Sequence, residues 1–236
     1  MHTFSEKNVV FPMQGKDIQN LSNSTAKIFQ KKYNKKLFLE SEDMPIHLSD
    51  VYIEPKLIDK NLKKRKQRKK DKIEGKEIGD SNAIEYIEKF VEGPEDKVLF
   101  IEGVAGAGKS SLLSKMATVL YGKDIFYKSL KDYLNLDLVR LKIEINKTFS
   151  LNDNDFGKII FLDGLDEIWN KIDLNEFEDD LKFFLERGYK VVFTVRPEYV
   201  PYEMYINEIK VCILETFDMS EKVKWIEKYK MLRKEN

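Results

Sequence analysis

Gly103-Val104-Ala105-Gly106-Ala107-Gly108-Lys109-Ser110 is the stretch on which the reading of the fold turns. It fits the pattern G-x-x-x-x-G-K-[ST] at every required position. Just before it, Val98-Leu99-Phe100-Ile101 is an unbroken apolar run of strand length, the kind a parallel sheet buries on both faces. Just after it, Leu112, Leu113, Met116, Ala117 and Leu120 recur at helical spacing and close near Gly122. In that setting each residue type has a physical task. Glycines let successive backbone N–H groups converge as an anion nest. The helix start adds unsatisfied N–H donors and the positive end of its dipole. Lys109 is placed to reach the β- and γ-phosphates of a nucleotide, and the Ser110 hydroxyl to ligate Mg²⁺. Residues 103–110, with Ser111 beside them, are therefore the expected nucleotide-binding residues. The alternative, a glycine-rich turn carrying a surface lysine, leaves the flanking strand and helix unexplained.

Outward from the loop, strands and helices alternate. Asp80 or Ser81 can cap a helix with Ile84, Ile87, Phe90 and Val91 on one face, ending at Gly93-Pro94. Ile125-Phe126-Tyr127 reads as a strand, Leu134 to Ile145 as a helix, and Ile159-Ile160-Phe161-Leu162 as a buried strand. Asp173 with Glu176 makes a capping box for a helix through Leu174, Phe177, Leu181 and Phe184, stopped at Gly188. Val191–Phe193 and Val211–Leu214 are two more strands. Asp218 and Glu221 can cap a last helix carrying Val223, Ile226 and Tyr229. Apolar strands alternating with helices imply an α/β fold, a parallel sheet between layers of helices.

Upstream the sequence says less. Asp17 to Tyr33 has a weak helical pattern, and Val51-Tyr52-Ile53 before Glu54-Pro55 reads as a short extended segment. The polar stretch from Asp59 to Gly79 contains the basic runs Lys63–Lys66 and Arg68–Lys70. Aromatic residues for base stacking are absent there, so a solvated loop is expected, with nucleic acid a minor alternative. Lys+Arg and Asp+Glu both number 41, so no global charge bias points to nucleic acid or an anionic membrane. Cys212, alone in an apolar run, reads as a core thiol in a reducing compartment. With His2 and His47 the only histidines, zinc is effectively excluded. Met1 to Gly15 lacks a secretory signal and no stretch approaches a membrane span, so a cytoplasmic protein without a membrane partner is expected.

A nucleotide loop of this kind needs a carboxylate at the end of a neighbouring strand to hold the water shell of the magnesium ion. Asp163, directly after Ile159–Leu162, stands in that position. Asp166-Glu167 follows as an acidic pair, either placed to orient an attacking water or merely favoured at a helix start. Thr194-Val195-Arg196-Pro197 follows another strand. Arg196 can sense the γ-phosphate, or simply pair with Glu198 or another acid at the surface.

Taken together, Gly103–Ser110, Phe161-Leu162-Asp163-Gly164-Leu165-Asp166-Glu167 and Thr194-Val195-Arg196-Pro197 resemble a NACHT-type NTPase of the STAND group. As in that family, a small residue, Gly164, follows the aspartate, and acidic residues follow two positions further on. Val195 stands where the family commonly has serine. The resemblance spans residues 97 to 200, and more loosely reaches 229, where Leu214–Asp218 resembles the start of a helical lid. Val51–Pro55 resembles the segment that runs past the adenine, which brings in Tyr52 and Ile53 as base-side residues.

The resemblance implies a three-layer αβα P-loop sandwich with a five-stranded parallel sheet, the loop strand in its interior, plus a short, mostly helical N-terminal segment. The expected divisions are a segment of unknown role over 1–50 and a linker with the adenine-side and basic stretches over 51–79. The NTPase core then covers 80–217 and the start of the lid 218–236. It also implies an ATP/ADP- and Mg²⁺-dependent, slowly hydrolysing switch in defence or stress signalling, with a protein partner or self-association through the core. Roles carry over as phosphate and metal binding for Lys109 and Ser110, metal support for Asp163, water positioning for Asp166 and Glu167, and γ-phosphate sensing for Arg196. The sequence stops at Asn236 before any winged-helix or repeat sensor, which reads as a fragment or a short form switched by another chain. A binding-only truncated NTPase, a P-loop small-molecule kinase and a DNA-remodelling relative are the alternatives.

Overall fold

Apolar runs flanked by turn residues become the strands of one sheet. The structure, a computed structural model, describes residues 48–59, 81–120, 123, 125–132, 141, 143–145, 158–201 and 209–234. The expected helix over Asp17–Tyr33 and the basic runs lie outside the described residues. So does most of the Leu134–Ile145 helix, of which Leu141 and residues 143–145 are helical.

The strands are β1 (Lys56–Asp59), β2 (Ser81–Asn82), β3 (Val98–Glu102), β4 (Ile125–Ser129), β5 (Ile159–Asp163), β6 (Lys190–Val195) and β7 (Ile209–Leu214). They lie in the order β2-β1-β7-β3-β6-β5-β4. From β7 to β4 all neighbours are parallel, and the strand before the glycine loop, β3, sits between β7 and β6.

The expectation of a five-stranded parallel sheet needs correction. The sheet is mixed, because β1 pairs antiparallel with β7 and the two-residue β2 pairs antiparallel with β1. An edge strand offers unpaired N–H and C=O groups, and β1 satisfies those of β7. Its sequence, Lys-Leu-Ile-Asp, has too few apolar residues to announce a strand. Leu57 alone of the four is fully buried in the core, and polar contacts add to its hold. The Tyr86 hydroxyl donates to Asp59 at 3.1 Å, and Lys210 reaches both Asp59 at 3.9 Å and Asp96 at 3.1 Å.

The main helices are α1 (Leu48–Val51), α2 (Ala83–Glu92), α3 (Lys109–Val119), α4 (Leu174–Glu186) and α5 (Met219–Lys234). Successive strand side chains alternate between faces, and the core divides accordingly. Val98, Phe100, Ile160, Leu162, Val191 and Phe193 pack with Phe177, Leu181 and Phe184 of α4. Leu99, Ile101, Phe161 and Val192 pack with Ile87 and Phe90 of α2 and Leu112, Leu113 and Met116 of α3. Helices therefore cover both faces of the sheet. No helix among the described residues is long and apolar enough to cross a membrane.

Helix starts follow local chemistry. Asp173 Oδ1 accepts from the amides of Asn175 at 2.8 Å and Glu176 at 3.2 Å, as the sequence indicates. Asp218 and Glu221 cap each other's amides, both at 2.9 Å. The Glu221 amide, then the Ser220 hydroxyl, hold the Asp218 carboxyl below its ordinary range. For α2 the cap is Asn82, not Asp80 or Ser81. Asn82 immediately precedes the first helical residue, and its Oδ1 accepts from Ile84 at 3.0 Å and Glu85 at 3.3 Å. The expected apolar stripe of α5 is also misplaced. Val223 and Ile226 are exposed, while Trp225 and Tyr229 are half-buried and stack on each other with centroids 5.6 Å apart.

Val51 closes the single turn α1, and Tyr52 to Pro55 lack regular structure, where an extended segment beginning at Val51 is expected. Lys228 donates to the Tyr52 carbonyl at 2.9 Å and so ties α5 to this segment.

Candidate functional site

The glycine loop leaves β3 and enters α3 at the C-terminal edge of the parallel strands. The Gly103 amide donates to Val195 O at 3.1 Å, anchoring the loop's start to the end of β6. Gly108, the N-cap of α3, has φ +92°, and Gly106 has φ +77°, values that L side chains rarely adopt. No side chain caps α3. Its first-turn N–H groups, which have no partner within a helix, are left to a ligand or to solvent.

Lys109, the first residue of α3, is half-buried and turns back over its own loop. Its ammonium donates to the carbonyl of Gly103 and, at 3.1 Å, to that of Val104. Burial pushes its pKa down from the ordinary lysine value. Asp166, Asp163 and Glu198 oppose that shift, and Arg196 reinforces it. The same interactions show that the strand ends bring Asp163, Asp166 and Arg196 into the electrostatic neighbourhood of Lys109. Ser110 is exposed and Ser111 half-buried in the first turn of α3.

Asp163 is buried at the end of β5, with both carboxylate oxygens engaged. Tyr127 of β4 donates its hydroxyl to Oδ2 at 3.1 Å, and Thr194 of β6 donates to Oδ1 at 2.6 Å. The chain then turns through Gly164, at φ +85°, whose amide donates to Thr194 Oγ1 at 2.8 Å. That turn leads into the short 3-10 helix Leu165–Glu167. The Asp166 side chain is 7% exposed and pairs with Arg196, Oδ2 to Nε at 2.8 Å, while Glu167 is exposed. Arg196 therefore has an acidic partner on the neighbouring strand end, which is Asp166 rather than Glu198.

Among the described residues no group of three or more His, Cys, Asp or Glu side chains could hold a metal ion alone. Mg²⁺ in a phosphate site needs only one or two protein oxygens, phosphates and waters supplying the rest, so this finding leaves such a site open. Asp163 and Ser110 are the oxygens that the sequence reading assigns to it. An ionised carboxylate has about four lone-pair sites, so Asp163 keeps acceptor capacity beyond its two hydroxyls.

Beside the loop lies a cavity of ≈ 440 Å³. One wall is Ala105, Gly106, Ala107, Gly108 and Ser111; a second is Val51, Tyr52, Ile53 and Pro55. Tyr52 and Ile53, which the sequence resemblance assigns to the base side, both line this cavity. Lys115 of α3 lies 5.9 Å over the Tyr52 ring. The third wall, Thr216, Phe217, Lys222 and Trp225, comes from the stretch read as the start of a helical lid, and none of the four is an expected site residue. An aromatic on an amphipathic helix reads as core, and only the approach of α5 to Tyr52 turns Trp225 into cavity lining.

No protein-family model matches the chain, and no match is found among curated proteins.

Proposed function

We propose that the chain is a P-loop NTPase domain, a three-layer αβα sandwich that binds ATP or ADP with Mg²⁺ and turns ATP over slowly. In this reading it is the nucleotide-controlled switch module of a NACHT-like protein. One observation carries it: the glycine loop, the uncapped start of α3 and the cavity are contiguous. Phosphates would lie on the amides of residues 103–111, and the base and ribose in the cavity between Tyr52, Phe217 and Trp225. The cavity volume falls within the ~300–1,000 Å³ usual for small-ligand sites.

Lys109 would exchange the loop carbonyls for phosphate oxygens, which restores a full partner to its half-buried ammonium. Ser110 and Asp163 would hold the Mg²⁺ ion and its water shell; when bound, it neutralises charge developing on the β- and γ-oxygens. Glu167, exposed next to the site, is the water-positioning residue, with Asp166 beside it. Arg196 is held by Asp166, so a γ-phosphate would compete with that carboxylate for the guanidinium. A cytoplasmic location, a role in defence or stress signalling, and a protein partner or self-association through the core rest on the sequence reading alone.

A second reading, nucleotide binding without turnover, is favoured by the Arg196–Asp166 pair, which engages two of the three groups assigned to chemistry. Release of radiolabelled phosphate from ATP with magnesium and no acceptor separates the two. Slow release that Glu167→Gln reduces by about 10-fold or more, with binding retained, supports the switch. Binding with no release supports the binding-only module, and release unaffected by Glu167→Gln moves the role to Asp166.

A further inference from the structure

We propose that Tyr127 and Thr194 are positioning residues, a pair of hydroxyls that clamp Asp163 in the orientation from which it supports a divalent cation. The inference rests on the nucleotide reading above and goes beyond it, since neither residue belongs to the loop, the acidic motif or the cavity.

Sheet register puts the three side chains together. Tyr127 lies opposite Phe161, two residues before Asp163 on β5, and Thr194 is one residue beyond the Leu162–Phe193 pair. Alternation along the strands places Tyr127, Phe161 and Val192 in the core cluster shared with α3. Asp163 and Thr194, two residues beyond Phe161 and Val192, therefore share that face. All three are at least nine-tenths buried: Tyr127 is 3% exposed, Asp163 7% and Thr194 0%.

Hydrogen-bond direction is fixed by chemistry. An ionised carboxylate only accepts, so both hydroxyls donate to it. The Thr194 oxygen in turn receives the Gly164 amide at 2.8 Å. The chain Gly164 N–H to Thr194 O–H to Asp163 thus leaves no alternative hydroxyl orientation that keeps both bonds. One donor on each oxygen stops the carboxylate from rotating about its Cβ–Cγ bond. Its remaining lone pairs then keep one direction, and Lys109 of the phosphate loop lies within electrostatic reach. Partners of this kind usually matter about 10- to 100-fold in metal affinity. Tyr127 comes from β4 and Thr194 from β6, so the clamp also couples the carboxylate to both neighbouring strands.

The test is the magnesium dependence of nucleotide binding, not turnover. ADP affinity is measured with Mg²⁺ and with excess chelator for wild type, Tyr127→Phe, Thr194→Val and Thr194→Ser. The expected result is that Tyr127→Phe and Thr194→Val each cut the magnesium enhancement by about 10-fold. Affinity in chelator should stay at the wild-type value, and Thr194→Ser, which keeps the hydroxyl, should restore the enhancement. Variants that lower the unfolding temperature but keep the wild-type magnesium enhancement would overturn the proposal, leaving the hydroxyls a purely structural role. Should Thr194→Val not fold, Tyr127→Phe carries the test alone, because it removes a single oxygen. A wild-type chain that binds no nucleotide under either condition would overturn the parent reading instead.

Discussion

Four helices of more than one turn begin among the described residues, and they begin in two different ways. Helices α2, α4 and α5 each present a side-chain oxygen to their first amides, from Asn82, Asp173 and Asp218. Helix α3 presents none and starts instead from a glycine at positive φ. The capped starts spend their dipole and free N–H groups on the fold itself, worth about 1 kcal/mol each. The start of α3 leaves the same physical resource uncommitted, beside a lysine, a strand-end carboxylate and a cavity. On the proposed reading, stability and binding separate in this molecule at the level of helix starts, and substitutions should separate them too.

The largest expected effect is at α3. Lys109→Ala should weaken ATP and ADP binding by about 100-fold or more, since an ammonium on two phosphate groups is replaced by nothing. Its unfolding temperature should stay near that of wild type, because the bonds lost run only to loop carbonyls. Titration calorimetry and a thermal melt read the two quantities separately. A Lys109→Ala chain that binds normally would break the comparison. The same side chain sets a pH dependence. The ammonium is the binding form, and burial has lowered its pKa in the free protein. Affinity should therefore fall as pH rises on the alkaline side, at a lower pH than an ordinary lysine would impose. Lys109→Ala should flatten that limb of the profile.

At α4 the expected effect is smaller and of the other kind. Asp173→Ala should cost about 1 kcal/mol, lowering the unfolding temperature by roughly 2–4 °C, with nucleotide affinity unchanged. The smallest effect is expected at α2. Glu54 also accepts from the Ile84 amide, at 2.9 Å, so Asn82→Ala leaves one amide satisfied. Its cost should be about 0.5 kcal/mol, measurable as a shift in denaturant midpoint and invisible in binding. A loss at Asn82 equal to that at Asp173 would show that Glu54 contributes nothing.

What the sequence made legible follows from how each feature is encoded. The glycine loop, the apolar runs of β3, β5 and β6 and the Asp173 and Asp218 caps are contiguous, so local pattern suffices. Strand β1 was not legible, because it is held by a single buried side chain, Leu57, with Tyr86, Lys210 and an antiparallel edge, rather than by apolar alternation. Three successive cap-competent residues, Asp80 to Asn82, cannot be told apart by local pattern, and only the start of α2 at Ala83 selects the last. Within the site, Lys109 and Asp163 carry their positions in the motif. The partner of Arg196 does not: Asp166 lies on a different strand end, and only the parallel pairing of β5 with β6 brings the two together. The Phe217 and Trp225 wall and the meeting of Tyr127 with Thr194 are likewise products of register and helix placement, although Thr194 itself opens the motif that holds Arg196.

The most direct measurement is a titration of the isotopically labelled chain with magnesium ATP, followed through backbone amide resonances. Saturable shifts are expected in the amides of residues 103–111, with side-chain shifts at Trp225, while amides at the Asp173 cap stay in place. Saturation without movement at residues 103–111, or movement centred on the capped helix starts, would contradict binding at the glycine loop.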